Sequence, residues 1–118
     1  MLMNNEVFLF KLDKVNKVKL KNETVHEILV LDNKFSVALA EVSGENQAHY
    51  HKERTEVYHI TKGSGKIIIN GQIVNVEEGD TILIRPGLVH QILSENIRVL
   101  VICTPPFEKN DYHPVEQP

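Results

Sequence analysis

The sequence predicts an all-β barrel or sandwich. Three observations carry this. Runs of four to eight residues rich in Val, Ile, Leu, Phe and Thr recur along the 118-residue chain and end at turn residues. No window holds an apolar stripe at helical period over three turns. The runs are short and evenly spaced, and closed or two-layered sheets are the architectures that bury many short strands.

Taken in order, strands are expected near Val7–Leu12, Lys17–Leu20, Glu27–Leu31, Phe35–Val42, Ala48–His51, Glu56–Thr61, Gly65–Ile69, Gln72–Val76, Thr81–Ile84, His90–Ser94 and Arg98–Thr104. The first two are the least regular. Val7–Phe10 holds two phenylalanines and is expected to pack onto something, and Lys11–Lys21 reads as an edge strand or a turn of helix. Asn70-Gly71 joins two apolar runs with residues that both tolerate positive φ, the signal of a type I′ hairpin. Asp32-Asn33, Glu78-Gly79-Asp80 and Pro86-Gly87 mark further turns. Pro105-Pro106 ends the last strand, because proline donates nothing to a ladder. The tail from Phe107 is irregular and is expected to cover a barrel end or fray. One domain is expected, with a barrel core at about residues 24–104, an N-terminal arm 1–21 and a C-terminal tail 105–118.

Composition narrows the classes of function. Charged residues make up 25% and the net charge is −3, with no basic stripe, so nucleic acid is not an expected partner. A single cysteine, Cys103, excludes an internal disulfide and fits a reducing cytoplasm. No apolar run approaches the ~20 residues that span a bilayer. The expectation is a soluble, cytoplasmic protein.

Six histidines are present, and two of them, His49 and His51, are one residue apart. On a strand, side chains at i and i+2 leave the same face, so both imidazoles point together. Glu56 opens the β segment that continues through Ile60. A carboxylate at such a position is expensive to bury unless it is paired or bound to a metal. Alternation places Glu56, Tyr58 and Ile60 on one face, and Val57, His59 and Thr61 on the other. His90 follows the Pro86-Gly87 turn and shares its inward face with Ile92. Two histidines and a carboxylate make a non-haem metal site, and a third histidine completes it.

These residues carry a resemblance. Gly44-Glu45-Asn46-Gln47-Ala48-His49-Tyr50-His51-Lys52-Glu53-Arg54-Thr55-Glu56, then six residues to Gly63, looks like the first motif of the cupin superfamily. Gly79-Asp80, Pro86-Gly87 and His90 look like the second, with a hairpin at Ile67–Val76 between them. Three departures bear on the substrate class. Gly44 is one residue closer to His49 than is usual, Arg85 stands where a first proline is common, and Ser94 stands where an asparagine is frequent, with Asn96 nearby. The resemblance implies a jelly-roll barrel, the double-stranded β-helix of cupins. It implies His49, His51, Glu56 and His90 as ligands of one divalent transition metal, among Zn, Mn, Fe, Ni and Cu. Homodimers are common among small cupins, and the apolar Val7–Phe10 arm agrees with one.

Beside these residues stand plainer readings. Tyr58 is read as a pocket wall, and it is also the one candidate for a catalytic acid. His59 is expected to face outward. His26 and His113 have no partner in sequence and are expected to be exposed. Arg85 and Arg98 would bind an anion only if they point inward. Cys103 reads as a small core residue. The expected function is a metalloenzyme acting on a small oxygen-rich metabolite, of isomerase, dioxygenase or lyase type. Small single-domain cupins are often sugar-phosphate isomerase-like. The alternative is a binding module without catalysis, in which the metal anchors a ligand or stabilises the barrel.

Overall fold

The computed structural model describes residues 6–116. Nine strands follow one another: β1 Asn16–Leu20, β2 Glu23–Leu31, β3 Phe35–Glu45, β4 His49–Tyr50, β5 Thr55–Ile69, β6 Gln72–Glu77, β7 Thr81–Ile84, β8 His90–Thr104 and β9 His113–Pro114. A single 3-10 turn, Lys109–Asp111, is the one helical piece among the described residues. Among the described residues no helix is long and apolar enough to cross a membrane.

β5 and β8 form the spine. They pair antiparallel from Thr55↔Thr104 to Ile69↔His90, with breaks in register at Ile60/Lys62 and Ser64/Lys66. Such irregularities bend a strand and raise its twist, which lets one long pair serve both layers of a curled sheet. On one flank β8 pairs β3, which pairs β2, which pairs β1. On the other, the first half of β5 pairs β7 and its second half pairs β6. β4 pairs the start of β8 at His49↔His90, and β9 pairs β4. The result is a curled, jelly-roll barrel.

Alternation fills the interior. Tyr58 and Ile60 from β5, Ile92 and Val99 from β8, Ile84 from β7 and Val42 from β3 belong to one buried cluster. Asn70 and Gly71 both have positive φ, as the hairpin signal requires.

Four expectations are corrected. Val7–Leu12 is not a strand: it shows one isolated bridge at Phe8, and Phe8 and Phe10 are 59% and 41% exposed. The separate runs at Glu56–Thr61 and Gly65–Ile69 are one strand, and so are His90–Ser94 and Arg98–Thr104. Glycine and polar residues that read as turns lie at bulges inside continuous pairing. His26 is buried rather than exposed, its Nε2 2.6 Å from Glu41 Oε1. His113 is half-buried and stacks on Tyr50, with ring centroids 4.9 Å apart.

Gly63 shows what the bend demands. Its φ is +83°, and a Cβ placed there would lie 2.3 Å from the Asn96 carbonyl oxygen. Both the backbone conformation and the close approach need glycine. Gly63→Ala is therefore expected to cost about 3 kcal/mol, from left-handed strain plus a forced shift of β8. Chemical denaturation of the two proteins measures it.

Candidate metal centre

The site is built by three strands and the residue that follows one of them. β4 supplies His49, the residue after it supplies His51, β5 supplies Glu56 near its start, and β8 begins with His90. Pairing of His49 with His90 and of Glu56 with Cys103 brings these distant segments to one end of the barrel. All four side chains are buried, and one ligating atom from each lies within 4.8 Å of the others. The His49 ring centroid is 4.3 Å from that of His90 and 5.0 Å from that of His51.

Hydrogen bonds decide which ring nitrogens face inward. His49 Nδ1 donates to the Gln47 carbonyl at 2.9 Å, His51 Nδ1 to the Asp111 carbonyl at 2.7 Å and His90 Nδ1 to the Leu88 carbonyl at 2.8 Å. A carbonyl only accepts, so each Nδ1 carries a proton, and in the neutral ring each Nε2 presents a lone pair. Glu56 Oε1 lies 2.8 Å from His90 Nε2 and 3.3 Å from His51 Nε2, with no hydrogen bond formed by any of these three atoms. Lone pairs facing a carboxylate oxygen repel one another unless a cation sits among them. Buried and unsatisfied, these atoms fit a metal ion.

The electrostatics of His49 and Glu56 point the same way. Burial and the His90 charge push His49 down to about 4, so its imidazole is neutral at physiological pH. Burial acts to raise Glu56, but His51 and His90 outweigh it and hold the carboxyl well below the usual range. For His51, burial acts downward, while Glu56 and the Asp111 carbonyl pull its pKa up. An ionised carboxylate beside a neutral imidazole is the state that metal binding requires. The second oxygen, Glu56 Oε2, accepts from the Cys103 thiol at 3.6 Å, which leaves Oε1 as the inward atom.

The tail completes the site, and the sequence did not reveal how. Arg54, in the polar turn after His51, is 4% exposed. Its Nη1 donates to Asp111 Oδ2 at 2.6 Å and its Nε to the Pro106 carbonyl at 2.6 Å. Asp111 also accepts from the Lys52 and Glu53 amides. This knot holds residues 105–114 across the open end of the barrel. There the Tyr112 ring lies 4.6 Å from His49, and Phe107 lies 6.1 Å from His51. Arg54 could have been singled out only by a partner 57 residues away.

A cavity of about 480 Å³ opens from the cluster into the barrel. Tyr58 and Cys103 line it, as do Glu23 and Tyr112, which sequence reasoning did not select. Arg85 is exposed and Arg98 pairs with Glu41 at 2.9 Å, and neither lines the cavity. His59 faces away, bonded to Thr81 at 2.8 Å.

A curled β barrel with a buried three-histidine, one-carboxylate group at one end defines a class: small jelly-roll proteins able to hold a metal ion. The family is explicit in the sequence. Residues 36–103 match the cupin domain model, and the chain belongs to the cupin family. It is 30% identical to an uncharacterized protein of Aquifex aeolicus over 84% of this chain and 87% of that one. It is also 30% identical to an uncharacterized protein of Methanocaldococcus jannaschii, over 63% of this chain and 62% of that one, so the match spans less than two thirds of that relative. Among solved structures, the Streptomyces nucleoside dehydratase Pac13 superposes with a TM-score of 0.84 at 16% identity, covering 93% of this chain and 92% of that one. A protein from Planctomyces limnophilus superposes at 0.83 with 22% identity, covering 92% and 97%. The polyketide cyclase RemF from Streptomyces resistomycificus superposes at 0.76 with 20% identity, covering 95% and 87%. At these identities the likeness is one of fold.

Proposed function

We propose that this cupin is a metalloenzyme acting on a small oxygen-rich metabolite, with His49, His51, Glu56 and His90 holding one divalent transition metal. One observation carries the reading. Three buried imidazoles are locked with Nδ1 bonded outward, and the remaining nitrogens of His51 and His90 lie 3.3 Å and 2.8 Å from the buried Glu56 carboxylate with no hydrogen bond formed. A bound ion supplies Lewis acidity toward a ligand oxygen or, as iron, oxygen activation. Four protein ligands leave about two positions of a six-coordinate ion open, which favours a catalytic site over a closed structural one.

The chain's own residues do the rest. The Gln47, Leu88 and Asp111 carbonyls orient the imidazoles. Tyr112 and Phe107 exclude water from one side. Tyr58 lines the cavity at 4% exposure, and burial with the nearby Glu56 charge pushes its phenol well up. It therefore offers a proton or hydrogen bond to a substrate oxygen and does not act as a base. Known cupins of this fold include a nucleoside dehydratase and a polyketide cyclase, so small-molecule chemistry is the natural assignment. We place the protein in the cytoplasm as a single-domain homodimer, its exposed apolar arm at Val7–Phe10 being the surface that a second copy covers.

The test is elemental analysis of protein purified without chelator or metal-binding tag. Near-stoichiometric metal, or uptake of one equivalent of added ion, is the expected result. Protein that is metal-free and takes up none would leave a barrel-shaped binding protein without a metal.

A further inference from the structure

We propose that Glu23 is the proton acceptor of the site, and that the molecule it meets is neutral and mainly apolar, with one oxygen-bearing end. This rests on the metal reading above and narrows its oxygen-rich metabolite to one whose oxygens are gathered at a single end of an apolar body.

Glu23 is the first residue of β2 and lines the same cavity as His49, Glu56, Tyr58 and Tyr112. It is placed there by a fixed partner. Asn46 is 2% exposed, and its Oδ1 accepts from the Ile92 amide at 2.7 Å. That bond fixes the orientation of the amide, and Asn46 Nδ2 donates to Glu23 Oε1 at 3.3 Å. One carboxylate oxygen is thus held, and the other has no hydrogen bond among the described residues.

The remaining titratable groups around the cavity are spoken for. Glu56 and the histidines belong to the metal group. Burial pushes up the phenols of Tyr58 and Tyr112 and the Cys103 thiol, so all three stay protonated and serve as donors. Glu27 is exposed and accepts from Asn16 at 2.6 Å. Glu23 alone is a half-buried carboxylate aimed at open space. Burial raises its pKa, the Asn46 bond partly offsets this, and the Glu56 charge raises it further while His90 lowers it. A carboxylate shifted upward is a stronger base than an exposed one.

The walls identify the ligand class. Val25, Leu29, Ala38, Ala40 and Val101 present methyl groups. Among the described residues, the charged side chains beyond the metal group are Glu23, Glu27 and Lys109, and no guanidinium lines the space. Phosphate recognition uses arginine forks or helix N-termini, and neither is present along this cavity. A phosphorylated sugar would meet two carboxylates, aliphatic carbon and one cation, Lys109, which is exposed. A neutral molecule with an aromatic or aliphatic body fits both ends.

The experiment uses two chelating probes and zinc-loaded full-length protein. Benzohydroxamic acid is neutral and aromatic, and phosphonoacetohydroxamic acid carries a charged phosphonate on the same chelating head. When benzohydroxamic acid engages the ion, its N-hydroxyl O–H bond breaks, the oxygen keeps the electron pair, and the proton passes to the Glu23 carboxylate. Calorimetry at pH 6 in two buffers of different ionisation enthalpy reads that proton, on the side where a carboxyl raised by burial holds it. The wild type is expected to release fewer protons to buffer than Glu23→Gln, which is expected to release about one per probe bound. Glu23→Ala is the second variant, with the same expected release, should the glutamine disturb folding. The phosphonate is expected to bind at least about tenfold more weakly than the aromatic probe. Equal proton release from wild type and variants would overturn Glu23 as acceptor. A phosphonate that binds as well or better would overturn the neutral class. Protein that binds no zinc at all would instead sink the metal reading beneath this one, and the two failures are separate measurements.

Discussion

A His49→Ala, His51→Ala double variant is expected to contain no bound metal and to lose at least about 1,000-fold in affinity for added zinc. The two side chains supply half of the four-residue group, and both are buried with their Nδ1 atoms already committed to carbonyls. Glu56 and His90 alone form a bidentate site of ordinary weakness. The fold should survive, because the His51 substitution removes a buried nitrogen that has no hydrogen-bond partner. Two measurements check this. Elemental analysis reads the metal, and thermal unfolding with added zinc reads linkage. A wild type saturated at 1,000 times its dissociation constant gains about 4 kcal/mol of stability, and the variant gains none. Metal retained by the variant would move the site away from these residues.

Arg54→Met is expected to cost about 3–5 kcal/mol, because it leaves the buried Asp111 carboxylate without its counter-charge. For a chain of this size that lowers the unfolding midpoint by more than about 10 °C. The Glu108 partner of Arg54 is 60% exposed and adds little. The effect should depend on pH in a defined direction. Burial acts to raise the Asp111 pKa, but Arg54 and the Lys52 and Glu53 amides hold it well below the usual carboxylate range. A carboxyl depressed in the folded state stabilises above its unfolded value near ~3.9, and the contribution fades as pH falls toward the folded one. The gap between wild type and variant should therefore be widest above about pH 4 and close in stronger acid. The same variant should weaken metal binding by roughly 10–100-fold, since Asp111 also orients His51 through its carbonyl. Denaturation across pH, with a metal titration at pH 7, tests both. Unchanged stability would show that the tail is held by its aromatic contacts instead.

Much of this was legible in the chain. Alternation of polar and apolar residues marked the inward face of β5, because a strand has a period of two whatever it pairs with. Asn70-Gly71 marked its hairpin for an equally local reason: both residues reach positive φ at little cost. The four residues gathered within 4.8 Å were all selected by spacing, since a strand fixes where His49 and His51 point before any partner is known. Less legible was strand length. β5 and β8 run through positions that read as breaks, because a bulge and a turn use the same residue types.

What the sequence determined by itself, then, is the β architecture, the cupin family and the identity of the four clustered side chains. All of these follow from short-range periodicity and motif spacing. Tertiary structure decided the rest. His26 is buried because β2 pairs with β3 and sets it beside Glu41. Arg54 meets Asp111 because the tail folds back across 57 residues. Glu23 enters the cavity because Asn46, fixed by β8, reaches it. Each depends on a partner far away in the chain, and no local pattern encodes which distant partner a buried polar group will find.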